Sequence, residues 1–298
     1  DYILPFKAIY GKEGRFDQVE SSNLFDGTWE TTFKAEDGKE TSAIGVFKTE
    51  GQMLRGTFLT QTGDYRYLDG YTSKDTMYLY TFDGNHIYKF RAFKENDSIL
   101  KGEYWSGKTS YKTFVSKKND TIKLPDANSL TYLKEGYDHI DFSFPDLDGK
   151  LTSLEDEKYK DKIVILQILG TWCPNCMDET RFFADWYNKN KSQGVEIIGL
   201  AYEIKPEFEY ARDRVLTMKE KLNVPYNFLI AGTSSTKSAS ESLPMLNKVM
   251  SFPTSIIIDR KGKVRRIHTG FSGPATGIYY EEFVDDFNQF MEELINES

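Results

Sequence analysis

The sequence predicts an N-terminal antiparallel all-β domain, built as a sandwich or small barrel, followed by an α/β domain. A length of 298 residues is enough for two domains. From Phe25 to Phe114, turn signals recur about every ten residues between short stretches rich in Thr, Tyr and Phe. The second half instead alternates short apolar runs with helical patterns, and it holds the only two cysteines, Cys173 and Cys176.

The N-terminal pattern fits about eight antiparallel strands joined by hairpin turns. Its aromatic side chains could line a ligand cavity, although strand-forming residues packed in a small core explain them more simply. Asp83, His86 and Asp97 are expected in turns or on the surface, since no acid–base cluster is evident. We expect an accessory domain that docks a partner or shields the dithiol.

Composition and turn signals also give the domain boundaries. Residues 1–23 form a lead-in segment, and residues 24–116 form the β domain. Residues 117–136 are polar at first and aperiodic, so we expect a linker there. Residues 137–298 form the α/β domain.

A βαβ unit surrounds the cysteines. Residues 162–169 are apolar and rich in β-branched side chains, as in a strand buried on both faces of a sheet. The chain then turns, and Pro174 lies just inside a helix that ends near Gly194, so Cys173 falls at or next to the N-cap. Residues 195–201 form a second buried strand. The thiols therefore lie at the carboxyl end of the first strand, where ligand-binding and active sites are found in open α/β sheets.

Two cysteines three residues apart at a helix start indicate dithiol redox chemistry, because the helix N-terminus stabilises the first thiolate. Half of a zinc site stays open as an alternative, although structural zinc needs four ligands and His86, His139 and His268 are scattered. The remaining alternative is a cysteine pair with neither a redox nor a metal-binding role.

A second motif, Ser251 to Thr254, places Phe252-Pro253 just before an apolar strand over residues 255–259. Together with the dithiol helix, it resembles the thioredoxin superfamily, in which a cis-proline loop packs beside the cysteine pair. Phe142 to Leu154 is similar to the opening hairpin of TlpA/ResA-type thiol–disulfide oxidoreductases. The resemblance covers about residues 137 to 298.

This resemblance implies a thioredoxin-like domain with a central mixed sheet flanked by helices. It also implies a protein-disulfide reductase that acts on periplasmic proteins. Cys173 would attack the substrate disulfide and Cys176 would resolve the mixed disulfide, so that the pair cycles through a Cys173–Cys176 disulfide. The substrate-binding residues that it implies are Trp172, Pro174, Phe252, Pro253 and Thr254.

One buried acid expected in thioredoxins proper is missing, because Gln167 stands six residues before Cys173. An amide cannot take a proton, so we expect Gln167 only to form hydrogen bonds. Glu179 lies one helical turn beyond Cys176, and by resemblance to ResA it assists proton transfer. The alternative for Glu179 is an exposed acid favoured by the helix dipole.

Partners and location also follow from the resemblance. We expect a disulfide-containing protein substrate and an upstream electron donor, which could be membrane-bound, with neither cofactor nor metal. The protein would be periplasmic, or anchored to the membrane and facing the periplasm, with its leader trimmed before Asp1. A net charge of -8 argues against nucleic acid and anionic membrane surfaces.

The prediction of the direction of electron flow depends on one dipeptide. Pro174-Asn175 lacks the histidine of strongly oxidising relatives, which favours a reductant. A thiol-dependent peroxidase is an alternative, since Thr171-Trp172-Cys173 partly echoes peroxiredoxins, although the proline expected before the threonine is absent. A third hypothesis is a ligand- or partner-binding protein whose β domain carries the function.

Overall fold

A computed structural model describes residues 22–297, so nearly all of the predicted lead-in lies outside the described residues. After one short 3₁₀ turn (Asn23–Phe25), the N-terminal part is built of antiparallel strands. These strands are β1 (Gly27–Ala35), β2 (Glu40–Glu50), β3 (Met53–Thr60), β4 (Gly63–Asp64), β5 (Leu68–Ser73), β6 (Thr76–Phe82), β7 (Ile87–Asn96), β8 (Ile99–Ser106) and β9 (Ser110–Lys118).

Eight of these strands close into a barrel. The order runs β2-β1-β9-β8-β7-β6-β5-β3, and pairing of β2 with β3 completes the ring, while β4 only extends the edge of β3. Along β1, Trp29, Thr31 and Phe33 point inward and alternate with exposed neighbours. This alternation is what a closed antiparallel sheet requires. Of the two predicted architectures, the barrel is the one formed.

Aromatic rings fill the barrel interior. Phe58 stacks on Phe90 with ring centroids 4.7 Å apart, and Phe33 meets Phe58 edge-on at 5.2 Å. Phe114 and Tyr104 complete this buried cluster. These interior aromatic residues therefore form a packed core, as the simpler interpretation predicts.

The C-terminal part combines short and long strands with helices in the order predicted for an α/β domain. Its elements are β10 (Phe144–Pro145), β11 (Leu151–Thr152), β12 (Ile163–Leu169), α1 (Pro174–Asn190), β13 (Val195–Glu203), α2 (Phe208–Lys221), β14 (Asn227–Thr233), α3 (Thr236–Ser242), β15 (Thr254–Ile258), β16 (Val264–Thr269) and α4 (Ile278–Asn296).

A five-stranded mixed sheet organises this domain. Its order is β14-β13-β12-β15-β16, with β13 and β14 parallel to β12 and with β15 antiparallel to both β12 and β16. Every residue of the central strand β12 is buried. Phe183 of α1, Val215 of α2 and Phe287 of α4 belong to the same core cluster as the sheet, as predicted for a central mixed sheet flanked by helices. Within residues 22–297, no helix is both long and apolar enough to cross a membrane.

Helix α3 was not predicted, because its sequence is polar and has no apolar periodicity. Its start is fixed locally instead: the Ser235 hydroxyl caps the helix by accepting hydrogen bonds from the backbone of Lys237 and Ser238. The predicted opening hairpin is present, but its two strands, β10 and β11, have two residues each.

The segment predicted as a linker packs against the α/β domain. Thr131 is fully buried, and its hydroxyl lies 2.8 Å from the hydroxyl of Thr269. The backbone N–H of Lys134 donates to the carbonyl of Met245 at 2.8 Å. These hydrogen bonds attach the segment to the α/β domain.

Candidate active site

Cys173 and Cys176 form a disulfide where β12 passes into α1, and their Cα atoms are 5.2 Å apart. Cys173 is the N-cap residue of α1, and its Sγ lies 3.2 Å from the backbone nitrogen of Cys176. Pro174 takes the first helical position, where its missing N–H leaves no donor unpaired. Cys173 retains 6% of its surface exposed and Cys176 retains none, so only the first cysteine of the pair reaches the solvent.

The turn before the cysteines is fixed by the end of the neighbouring strand. The Glu203 carboxylate accepts from both the backbone N–H and the hydroxyl of Thr171, at 2.7 and 2.8 Å. Trp172 Nε1 donates to the carbonyl of Tyr202 at 2.8 Å. The Glu203 side chain is buried, which raises its pKa, while the bonds from Thr171 lower it. Glu203 was not predicted from the sequence, because a single acid at a strand end has no diagnostic pattern.

The proline loop lies directly against the disulfide. The Phe252–Pro253 peptide bond is cis, and the carbonyl oxygen of Phe252 lies 3.5 Å from Cys173 Sγ. The Phe252 ring also meets the Trp172 ring edge-on at 5.4 Å. Thr254, a predicted substrate-binding residue, is buried in β15 between β12 and β16, and its hydroxyl donates to the carbonyl of Ser251. It holds the loop in place.

Glu179 is fully buried and is not an exposed acid of the first helical turn. Gln167 Nε2 donates to Glu179 Oε2 at 2.9 Å, and no partner for Oε1 is found among the described residues. Burial raises the pKa of Glu179 to about 8, against a smaller lowering by the bond from Gln167. The amide oxygen of Gln167 accepts from the Tyr226 hydroxyl at 3.0 Å, so Gln167 forms hydrogen bonds as expected.

Two loops of the barrel reach the redox site. Asn85 Nδ2 donates to the carbonyl of Trp172 at 3.1 Å. Asn175, between the two cysteines, donates from Nδ2 to the carbonyl of Asp64 at 3.2 Å. The sequence predicts turns at residues 63–64 and 83–85. The structure places the first turn at residues 61–62, directly before β4 (Gly63–Asp64), and has a bend at residues 84–85. A turn signal does not reveal which turns face the second domain.

No metal site forms around the cysteines. Within residues 22–297, no three His, Cys, Asp or Glu side chains converge as a metal-binding group. His86 pairs with Asp83, and His268 Nδ1 lies 3.0 Å from Asn128 Oδ1. The half zinc site therefore finds no further ligands in this part of the chain.

Residues 124–280, more than half of the chain, match the family described as Redoxin. The chain therefore belongs to the Redoxin family. Its C-terminal part is ResA-like, within the thioredoxin superfamily.

Two relatives named thiol-disulfide oxidoreductases are similar to a little under half of the chain. The chain is 29% identical over 138 residues to the thiol-disulfide oxidoreductase ResA of Bacillus subtilis, covering 46% of this chain and 69% of the relative. It is 33% identical over 132 residues to ResA of Bacillus cereus, covering 43% and 66%. The chain thus spans about two thirds of the length of these relatives. A solved thioredoxin domain of a thiol-disulfide oxidoreductase from Bacteroides vulgatus is 24% identical, with a TM-score of 0.38, covering 51% of this chain and 99% of that one.

Proposed function

We propose that this protein is a thiol–disulfide oxidoreductase that reduces disulfides in periplasmic protein substrates. The observation that carries this proposal is the unequal burial of the Cys173–Cys176 pair at the start of α1. Cys173 has some exposed surface and lies beside the Phe252–Pro253 loop, whereas Cys176 is fully buried. This arrangement suits a nucleophile and a resolving thiol.

The first step is attack by the Cys173 thiolate on a substrate disulfide. The backbone N–H of Cys176 and the N-terminus of α1 stabilise the negative charge on Cys173 Sγ. A bond forms between Cys173 and one substrate sulfur, and the substrate S–S bond breaks, releasing the other sulfur as a thiolate.

The second step is resolution by Cys176. Its thiol loses a proton and attacks Cys173 Sγ, which releases the remaining substrate sulfur and leaves the Cys173–Cys176 disulfide. Two electrons have then passed to the substrate, and two protons complete its thiols. An upstream donor of the dithiol class, soluble or membrane-bound, returns the protein to its reduced form.

We assign the proton transfer to Glu179. It lies on α1 one turn beyond Cys176, and a carboxyl group with a pKa of about 8 exchanges protons readily near neutral pH. Oε2 is held by Gln167, while Oε1 has no partner among the described residues and is left to exchange the proton.

Substrate binding is assigned to the surface around the accessible sulfur. Trp172 and Phe252 form its apolar part. Pro174 fixes the backbone at the start of α1, and Pro253 fixes that of the separate loop beside Cys173. The carbonyl of Phe252, next to Cys173 Sγ, can accept a hydrogen bond from an extended substrate segment.

The reduction potential of the Cys173–Cys176 couple tests the direction of electron flow. A reductant is expected below about −200 mV, whereas a couple near about −120 mV would make the protein an oxidant. In parallel, the fully reduced protein should reduce insulin. A reduced protein that leaves insulin intact but consumes hydrogen peroxide would instead support the peroxidase alternative.

A further inference from the structure

Residues 61–66, the connection from β3 to β5, lie against the redox domain. The Thr60 hydroxyl donates to the carbonyl of Gly63 at 2.8 Å, and the backbone N–H of Arg66 donates to Asp64 Oδ1. These bonds give the segment a fixed shape of its own. We call residues 62–64, Thr62-Gly63-Asp64, the barrel turn.

Thr62 contacts the proline loop. Its carbonyl oxygen accepts from the Ser251 hydroxyl at 3.1 Å, and Ser251 directly precedes Phe252. Its backbone also approaches Gly270 so closely that a Cβ at Gly270 would lie 2.8 Å from the Thr62 carbonyl carbon. Because real Cβ atoms do not approach so closely, the contact requires glycine at position 270.

Gly63 and Asp64 contact the residue between the two cysteines. Asn175 Nδ2 donates to the Asp64 carbonyl at 3.2 Å. A Cβ at Gly63 would come within 2.3 Å of the same nitrogen, and Gly63 has φ +147°. A side chain at position 63 would therefore displace the amide group of Asn175 from its hydrogen bond with the Asp64 carbonyl.

Charged groups hold the barrel turn in this place. The Asp64 carboxylate accepts from the backbone N–H of Gly273 at 2.8 Å. Arg66 pairs with Asp178 of α1 at 3.0 Å, and their side chains are only 19% and 10% exposed. Asp178 also pairs with Arg181 of the same helix at 2.9 Å, so the ion pair with Arg66 is the one of the two that joins the barrel to α1.

A second barrel loop contacts the opposite end of the redox motif. Asn85 Nδ2 donates to the carbonyl of Trp172, immediately before Cys173. The Asp83 carboxylate shapes this loop by accepting from the backbone N–H groups of Asn85 and His86. Barrel contacts thus lie on both sides of Cys173-Pro174.

We propose that the barrel turn covers the surface on which protein substrates dock and acts as an intramolecular competitor of those substrates. This inference rests on the proposed function. The surface presents two side-chain donors, Ser251 Oγ and Asn175 Nδ2, to carbonyl groups of an extended segment, with a glycine between them. It therefore fits an extended protein segment with a small central residue. Such a segment reaches Cys173 only after the barrel turn has withdrawn, whereas a small disulfide does not need this surface.

Two variants open the interface by different means. Gly63→Val forces a side chain against Asn175, and Arg66→Ala removes the ion pair with Asp178. Gly38→Val is the matched control for the first, because Gly38 also has a positive φ and a Cβ there would meet no atom within 4 Å. Arg55→Ala is the control for the second, since the ion pairs of Arg55 are with the barrel residues Glu50 and Asp69.

The first readout is single-turnover reduction of insulin and of oxidised glutathione by each reduced protein. If the closed form outweighs the open form by about tenfold, opening raises the insulin rate by about tenfold in both variants and in neither control. The glutathione rate changes by less than about threefold. An unchanged or lower insulin rate in folded Gly63→Val and Arg66→Ala proteins overturns the proposal.

The second readout does not depend on the proposed function. Reduced, unmodified protein is alkylated with iodoacetamide and with a polyethylene-glycol maleimide, and the ratio of the two rates at Cys173 is compared with that of Arg66→Ala. A closed barrel turn slows only the bulky reagent, so the variant raises its relative rate. Equal ratios overturn the proposal even if the protein reduces insulin. A changed ratio supports it even if no disulfide is reduced, in which case the proposed function alone fails.

Discussion

At the scale of single residues, Gln167 and Glu179 determine which group near the thiols can exchange a proton. Gln167 cannot take a proton, and its side chain forms hydrogen bonds with Glu179, Thr180 and Tyr226. Burial raises the pKa of Glu179, which leaves a carboxyl group able to give or take a proton at neutral pH. In the proposed mechanism, the proton is thus exchanged by Glu179 on the helix that carries the thiols. In thioredoxins proper, a buried acid is expected on the strand, at the position that Gln167 occupies here.

Replacing Glu179 by glutamine tests this assignment. Glu179→Gln should slow resolution of the mixed disulfide by about 100-fold and remove a step in its pH profile near pH 8, because the amide cannot exchange a proton. Alkylation of Cys173 should change little. Stopped-flow measurement of thiol release from pH 6 to 9 gives the resolution rate, and iodoacetamide labelling gives the alkylation rate.

Asp185→Asn, an exposed substitution on the same helix, is the control. A Glu179→Gln resolution rate within about threefold of the parent, with the step near pH 8 intact, would contradict the proton-transfer role, because a helix-dipole contribution alone explains so small a change.

At the scale of elements, the segment before β10 belongs physically to the redox domain. Thr131 and Lys134 bond to Thr269 and Met245, and Leu133 forms an isolated bridge with Leu246. A boundary at residue 137 cuts through these contacts, although the sequence favours it because the preceding residues are polar and aperiodic.

Comparison of two fragments, residues 121–298 and 137–298, measures how much this segment contributes to the free energy of unfolding. Each buried hydrogen bond contributes about 1 kcal/mol, so the shorter fragment should lose at least about 2 kcal/mol of unfolding free energy. Urea unfolding monitored by tryptophan fluorescence gives the difference. Equal midpoints for the two fragments would show that the segment is the linker that its composition indicates.

Sequence patterns predicted most of the redox domain. Strand β12 and helix α1 have strong periodicity, a proline at N1 and a cysteine at the N-cap, so their type and place follow from local chemistry. Glu203 and helix α3 could not be found in this way, since a lone acid and a polar helix have no apolar period. The contacts of Thr62 and Asn85 depend on how two domains pack, which local patterns do not encode.

At the scale of the whole molecule, the two domains share a buried acidic interface. The pKa of Asp64 is raised to about 6, mainly by burial and to a smaller extent by Asp178, against a lowering by the backbone N–H groups of Gly273 and Arg66. Asp178 itself has a raised pKa, also through burial, despite the nearby cations Arg66 and Arg181. These shifts link the stability of the folded chain to pH.

The raised pKa of Asp64 predicts the direction in which stability changes with pH. Native protein keeps this proton up to about pH 6, whereas the unfolded chain releases it near pH 3.8, so stability is lost as the pH rises between the two. Relative to Asp64→Asn, the parent should therefore lose about 2 kcal/mol of unfolding free energy from pH 4 to pH 7. Denaturant melts at both pH values measure this. A difference between the two proteins that does not vary with pH would contradict the prediction.

The most direct test of the proposed chemistry is a trapping experiment on the two thiols in the full chain. Reduced Cys176→Ser is mixed with insulin and quenched with acid, and mass spectrometry identifies covalent adducts. We predict a stable mixed disulfide through Cys173 and none with Cys173→Ser, because Cys176 is fully buried. A stable adduct through Cys176 in the Cys173→Ser protein, or no adduct with either variant, would contradict this assignment of the two thiols.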